Sequence, residues 1–400
     1  VCSPSRAGLL TGRNGVRFGY EFNPPDKNNY GLPATETTIA NLLKAGGYRT
    51  GVIGKWHLGQ TTGSFPTQRG FDYWHGHITG GHNYKSYDLN APFESYIAPL
   101  LEGPQNTKVG FTGHLTQHFG TKAMEFIKNS ASPTKPWFLY LAFNAPHTPH
   151  DPADMDLASV AGIADPVRRK YAGLIVGLDR AVGRVLKALD DSGQRENTLI
   201  FFLSDNGGAS SNADTDPRNA SRPRDQWFQF SDNSPLFSYK GWLWEGGIHV
   251  PFVVSWPGRI SARKTSAIMW SLDISVTALA AAGVAGPYKD KNGNTIVMDG
   301  IDLLSFLTDV TGTTPPPRRE VFVRYRPRGD LTVPNYMLRM GNLKLFNNNG
   351  TVKLFNVVAD PGETTDLASS RPNDVARLQA RWDELKQGFV PPLWAPTPAN

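Results

Sequence analysis

Cysteine is almost missing from this chain: Cys2 is the single one among 400 residues. A lone thiol forms no intramolecular disulfide, so there is no disulfide framework and composition leaves the redox compartment open. No apolar run approaches the length of a membrane span. Charge of one sign is nowhere concentrated. The net charge of +6 is spread along the chain without a basic tract, which is compatible with an anionic substrate and gives no nucleic-acid signature. No internal repeat is evident. No methionine or leader stands before the first residue, Val1, and the sequence is read as a processed chain or a fragment.

Glycine, proline and aromatic residues are plentiful, as in an enzyme with long, shaped loops between core elements. The length allows one large domain plus a smaller one. The segment from Thr35 reads as a capped amphipathic helix closed by Gly46 and Gly47. Val167, Tyr171, Leu174, Leu178, Val182, Val185 and Leu189 recur at helical spacing and predict a long helix. Two runs, W-F-L-Y-L-A-F from Trp137 and T-L-I-F-F-L from Thr198, are apolar on both alternating faces, as in strands covered by helices on each side. Val250 to Trp256 reads as a further core strand, Ser271 to Ala282 as a helix, and the polar stretch 210–232 as an excursion over the rim of a site. Strands alternating with helices, with polar clusters at strand ends, predict an α/β sheet with its site along the carboxyl edge. After Pro315–Pro317 short alternating strands take over, two of them joined through N-N-N-G, followed by a helix from about Pro372. The expected division is therefore 1–314 for the large domain and 315–400 for a small α+β subdomain.

Five clusters can carry chemistry. Cys2 opens C-S-P-S-R-A-G-L-L-T-G-R, in which Pro4 suits a first helical turn and Ser3 or Ser5 can cap it. That puts the thiol at the positive end of a helix, with Arg6 one turn away. Lys55 and His57 lie two apart in G-K-W-H, so an extended backbone would point both to one side and Trp56 to the other. His147 and His150 sit in the proline-stiffened loop N-A-P-H-T-P-H. Asp205 and Asn206, in S-D-N-G-G, are adjacent hard-oxygen donors suited to Ca²⁺ or Mg²⁺ rather than zinc. Lys240 precedes G-W-L-W-E-G-G.

The first of these resembles the C-x-P-S-R signature of the type I sulfatases, and G-Y-R-T-G-V-I-G-K-W-H resembles their second signature. Gln68 to Gly76 looks like the segment that follows it in arylsulfatase and N-acetylgalactosamine-sulfatase relatives. The resemblance implies an alkaline-phosphatase-like sandwich: a large, mostly parallel sheet flanked by helices, plus a small C-terminal antiparallel sheet with a helix. It implies that Cys2 is oxidised to formylglycine by a formylglycine-generating enzyme and that the aldehyde hydrate attacks sulfur, with Arg6 beside it. Lys55 and Lys240 then hold the sulfate, His57 takes a proton from the hydrate, His147 donates to the ester oxygen, and Asp205, Asn206 and formylglycine bind calcium, with magnesium second. His150 is a further substrate contact. His249 stands where the family pattern usually has arginine.

The implied reaction is hydrolysis of a sulfate ester on a sulfated glycan or aryl sulfate, in a periplasmic or secreted setting, with no nucleic-acid partner and no membrane span. Two alternatives remain: a phosphodiesterase or phosphonate monoester hydrolase of the same superfamily, and a non-catalytic sulfated-glycan-binding remnant. Family members begin with a core strand ending in two aspartates that complete the calcium site. Only Val1 precedes Cys2 here, and Asp190 and Asp191 fall at a helix end. The chain is thus expected to lack that strand and half its calcium ligands, and to be weak or inert at this length.

Overall fold

The computed structural model describes residues 2–25, 30–132, 134–210, 230–317, 319–325 and 335–394. Thr38 caps helix Ile39–Ala45 through a capping box in which Asn41 takes the reciprocal role, and Gly47 (φ 89°) supplies the left-handed turn after the helix. The chain then enters an inner strand of the five-stranded main sheet, β1 (Arg49–Lys55). On one side it pairs in parallel with β2 (Tyr73–His77), Val52 opposite Trp74. The short strands β3 (Leu100–Glu102) and β4 (Thr107–Val109) extend that side in antiparallel fashion. On the other side β1 pairs in parallel with β5 (Trp137–Ala142), Val52 opposite Tyr140. Because β2, β1 and β5 run the same way, their carboxyl ends share one edge, and Lys55 and the loop carrying His147 emerge there together.

Alternation along β1 divides the core into two layers. Val52 joins Trp56, Trp74 and Phe71 against Ala7 and Leu10 of helix Cys2–Thr11, Ile39 and Leu43 of helix Ile39–Ala45, and Leu279 of helix Asp273–Ala281. Ile53 faces the opposite way, into Phe119 and Phe126 of helix Leu115–Ser130 and Leu174 of helix Pro166–Asp191. The sheet is thus covered by helices on both faces, as the two-sided apolar run from Trp137 requires.

The two later apolar runs behave differently from the expectation. β6 (Ile200–Leu203) and β7 (Phe252–Ser255) pair antiparallel with each other, Phe201 opposite Val254, as a separate two-stranded unit. Among the described residues they form no ladder with the main sheet, so Phe202 and Val253 stay exposed. Periodicity predicts that a strand is apolar on both faces, but carries no information about which strand it pairs with.

The C-terminal strands β8 (Glu320–Tyr325), β9 (Asn335–Met340), β10 (Leu343–Asn348) and β11 (Thr351–Asn356) form an antiparallel meander. The β10–β11 turn is Asn349–Gly350, both at positive φ, as a two-residue hairpin demands. Helix Pro372–Leu385 closes one face through Leu378, Trp382 and Leu385, with Trp382 stacked on Tyr336 at 4.1 Å. The meander is fastened to the segment just after helix Cys2–Thr11. Asn14 donates to the Phe322 carbonyl (2.8 Å), Arg324 pairs with Glu21, and Val16 is part of the same apolar cluster. Most of the expected excursion at 210–232 lies outside the described residues.

Candidate active site

Helix Cys2–Thr11 begins at the cysteine, so the thiol sits in the first turn, where backbone N–H groups are unpaired within the helix. One of these N–H groups is satisfied from a distance: Asn23 Oδ1 accepts the Ser3 N–H at 3.0 Å. Arg6, one turn on and buried, is held at both ends of its guanidinium. Nε and Nη2 reach Asp205 Oδ2 at 3.0 and 2.9 Å, and Nη1 donates to the Lys55 carbonyl (2.8 Å) and the Tyr140 hydroxyl (3.2 Å). Burial opposes its charge, but Tyr140 and Asp205 outweigh burial and its pKa is raised.

Lys55 and His57 both act on the sulfur of Cys2, while Trp56 between them packs with Val52 in the opposite layer. Gly54 has φ 105°, and a Cβ there would lie 2.0 Å from the Ala142 carbonyl oxygen, so the last turn of β1 requires glycine. Past Lys55 two more backbone hydrogen bonds follow, Trp56 N–H to the His77 carbonyl (2.9 Å) and His57 N–H to the Ile78 carbonyl (3.1 Å), and His57 then adopts φ 57°, a left-handed conformation uncommon outside glycine. Between them Trp56 is buried, with Nε1 on the Ser64 carbonyl at 2.9 Å. Two backbone irregularities, invisible in the spacing, thus deliver the pair. Burial lowers the Lys55 pKa to about 8, with Arg6 adding to the effect and Cys2 opposing it; burial also lowers His57 to about 4, with Lys55 and Arg6 working the same way and Cys2 against.

His147 leaves the end of β5 with its backbone N–H on the Asn144 carbonyl (2.9 Å) and its own carbonyl accepting the Tyr84 hydroxyl (2.8 Å). Its Nδ1 lies 2.8 Å from the Thr148 carbonyl, which can only accept, so Nδ1 carries the proton and Nε2 is the nitrogen free to work. Burial lowers its pKa, against a hydrogen bond from Cys2. His150 is packed on Phe230 (4.4 Å between rings) and Tyr171 (5.8 Å), in an aromatic cluster next to His147.

After β6 the chain presents Asp205 and Asn206, and Asn206 Oδ1 accepts the Cys2 S–H at 3.6 Å. Lys240 completes the ring around the sulfur. Burial would push the Cys2 thiol up, but Lys240 and Lys55, with hydrogen bonds from His147 and His57, hold it well below its ordinary value. Lys240 is raised because Cys2 and Asp205 outweigh its burial. Three cations, Arg6, Lys55 and Lys240, therefore surround one carboxylate, Asp205, and the pocket is built for an anion.

Asp205 and Asn206 fit calcium or magnesium in kind but not in number. Two residues supply far fewer than the six to eight oxygens calcium takes, and among the described residues no group of three or more His, Cys, Asp or Glu could hold a metal. One of the two Asp205 oxygens, Oδ2, is moreover engaged by Arg6.

A profile of the sulfatase family matches residues 1–284. The chain belongs to the sulfatase family. This family member is 35% identical over 321 residues to the N-acetylgalactosamine-6-sulfatase of Canis lupus familiaris, covering 76% of its own length and 56% of the relative's. It is 32% identical over 334 residues to arylsulfatase G of Rattus norvegicus, covering 77% of itself and 60% of that protein. It thus spans a little over half the length of these curated relatives. The solved structure of Ps i-CgsB in complex with k-i-k-neocarrahexaose superposes with a TM-score of 0.85 at 31% identity, over 98% of this chain and 83% of that one. The alkaline-phosphatase-like α/β fold expected of a sulfatase is the fold observed.

Several residues of this site have no motif of their own. Tyr140, Tyr84 and Asn23 act through hydroxyl or amide groups on residues that do have one. Tyr140 alone left a trace in the sequence, as the one hydroxyl inside W-F-L-Y-L-A-F.

Proposed function

We propose that this chain hydrolyses sulfate esters of carbohydrates, with Cys2 oxidised to formylglycine. The observation that supports this best is the convergence on one sulfur of Arg6, Lys55, Lys240, His57, His147 and Asn206, which the fold gathers from five separate segments. When present, the aldehyde hydrate supplies a nucleophilic oxygen and a second hydroxyl for later release of sulfate. Lys55 and Lys240 neutralise the transferring sulfuryl group, a contribution that is usually large in such sites. For His147 to act as the acid, Nε2 must be protonated as well as Nδ1, whose proton Thr148 engages; the bound anionic ester favours that imidazolium, which passes its Nε2 proton to the departing sugar oxygen and is left neutral. His57 accepts a proton from the hydrate. Calcium, with magnesium second, would be held by Asp205 and Asn206, which supply only two of the donor residues such an ion needs, and would contribute charge stabilisation at the sulfuryl group. A carbohydrate leaving group is supported by the names of the relatives, one an N-acetylgalactosamine sulfatase and one solved with a neocarrahexaose. A periplasmic or secreted setting and a formylglycine-generating partner belong to the same proposal. No helix among the described residues is long and apolar enough to cross a membrane.

Turnover of an aryl sulfate, an aryl phosphate monoester and an aryl phosphate diester, compared on one preparation, tests the reading. Sulfate should be strongly preferred. A preferred diester would make the protein a phosphodiesterase, and binding of sulfated glycans without turnover would make it a binding remnant. Lys240→Ala and His147→Ala should each lower kcat by about two orders of magnitude, the loss of one transition-state contact. Near-normal kcat would remove that residue from the site.

The Lys55 charge also sets a pH dependence. It is present below a pKa of about 8 and is lost as pH rises through it. In Cys2→Ala protein, which lacks the thiolate that raises Lys55, affinity for inorganic sulfate should fall with rising pH from a midpoint at or below about 8. Lys55→Met in that background should flatten the profile; an unchanged slope would assign the titration to another group.

A further inference from the structure

Behind the anion site lies a buried charge cluster that the chemistry above does not use. Lys344, on β10 and fully buried, places Nζ 3.0 Å from Glu245 Oε1 and 2.8 Å from Glu363 Oε1. Glu363 also accepts the Glu245 backbone N–H on Oε2 at 2.7 Å. Glu245 is the first residue of the short helix Glu245–Ile248, five positions after Lys240. From there the connection continues through backbone groups and one side chain, Asn233, whose Oδ1 accepts the Gly208 N–H (2.9 Å) and whose Nδ2 lies within reach of the Gly208 (3.0 Å) and Ser238 (3.2 Å) carbonyls. Gly246 N–H donates to the Phe237 carbonyl (2.7 Å), Gly207 N–H to the Gly247 carbonyl (3.0 Å), and Lys240 N–H to the Gly208 carbonyl (2.9 Å). The two glycine pairs touch: a Cβ on Gly207 would lie 1.9 Å from the Gly246 carbonyl oxygen. Trp244 pins the same segment to the C-terminal sheet, 4.5 Å from Phe346 between rings.

We infer that the Glu245–Lys344–Glu363 triad is a positioning device. It locks the Lys240 segment and the Asp205–Asn206 loop into one rigid unit, so that the C-terminal sheet sets the geometry of the anion site. The inference rests on the reading of Lys240 as an anion contact. A buried ion triad is a poor source of net stability, because desolvation offsets its attraction, and its best-attested use is to specify one arrangement among several. Here each member makes a directional contact that an apolar side chain could not replace. Lys344 bridges two carboxylates from segments 118 residues apart, and Glu363 fixes a backbone N–H.

The test is hydrogen exchange on the full chain, followed by mass spectrometry, in Lys344→Met and Glu363→Gln variants. Exchange should rise about tenfold in peptides covering 237–249 and also in those covering 204–209, while helix Pro166–Asp191 keeps its parental rate. Protection of 204–209 unchanged in a folded variant would overturn the inference. A second arm measures affinity for inorganic sulfate. Lys344→Met should weaken it about tenfold in the parent and add nothing in a Lys240→Ala background, since both act through one group. Losses that multiply would mean a merely structural role and would overturn the inference as well. Should Lys344→Met fail to fold, Glu363→Gln, which keeps side-chain volume, is read by the same two criteria. A parent that binds no sulfate would sink the anion-site reading, while the exchange arm still decides the coupling.

Discussion

Replacing Cys2 by alanine is expected to abolish aryl-sulfate turnover, a loss of at least about 10⁴-fold, since it removes the group on which every other site residue converges. Active wild-type protein should carry a Cys2-containing peptide lighter than the cysteine form by about 18 Da, the difference between thiol and aldehyde. Cys2→Ser separates two roles. Its hydroxyl can accept a sulfuryl group, but with no second hydroxyl on the same carbon it cannot expel sulfate, so the variant should stop after one turnover about 80 Da heavier. Sustained multiple turnover by Cys2→Ala or Cys2→Ser, or an unmodified thiol in fully active protein, would remove formylglycine from the mechanism.

Arg6→Met should cost more than loss of either anion-binding lysine, about 10³-fold in kcat. The reason is its number of attachments. The guanidinium orients Asp205 through two nitrogens, fixes the Lys55 carbonyl at the end of β1, and ties in Tyr140 from β5. Methionine retains much of the apolar stem but leaves the Asp205 carboxylate without its ion partner in a partly buried place, a loss of about 3 kcal/mol in stability. Thermal unfolding should fall by about 2–4 °C in consequence. A variant with a parental melting curve and kcat within tenfold of the parent would show that the Arg6–Asp205 pair is dispensable.

The parts of this site that were legible in the sequence are those whose geometry is local. Cys2 and Arg6 are one helical turn apart, so spacing fixes their relation. Asp205–Asn206 follow a strand and precede two glycines, and Asn206 lies beside the thiol. Lys55 and His57 were found as residues but not as geometry. Their approach to Cys2 involves positive-φ backbone at Gly54 and His57, and although histidine is enriched at such positions most histidines do not adopt them, so the residue type alone does not give the geometry. The oxygen on the Ser3 N–H comes from Asn23, twenty residues on, because a backbone N–H donates to any well-placed oxygen and a returning loop provides one. The pairing of β6 with β7, and of Lys344 with Glu245 and Glu363, are relations between distant segments, which a one-dimensional pattern does not encode.

The span of the Arg6 contacts also says when this site comes into being. Its partners lie 49, 134 and 199 residues along the chain, so closing them has to wait until the loops between have condensed, the slow part of a folding reaction dominated by non-local contacts. Helices and the β10–β11 hairpin can form long before. A partly folded population would therefore show near-complete helical circular dichroism with no catalytic centre in it, and active-site titration, not spectroscopy, is the measure of how much of a preparation has reached the native state.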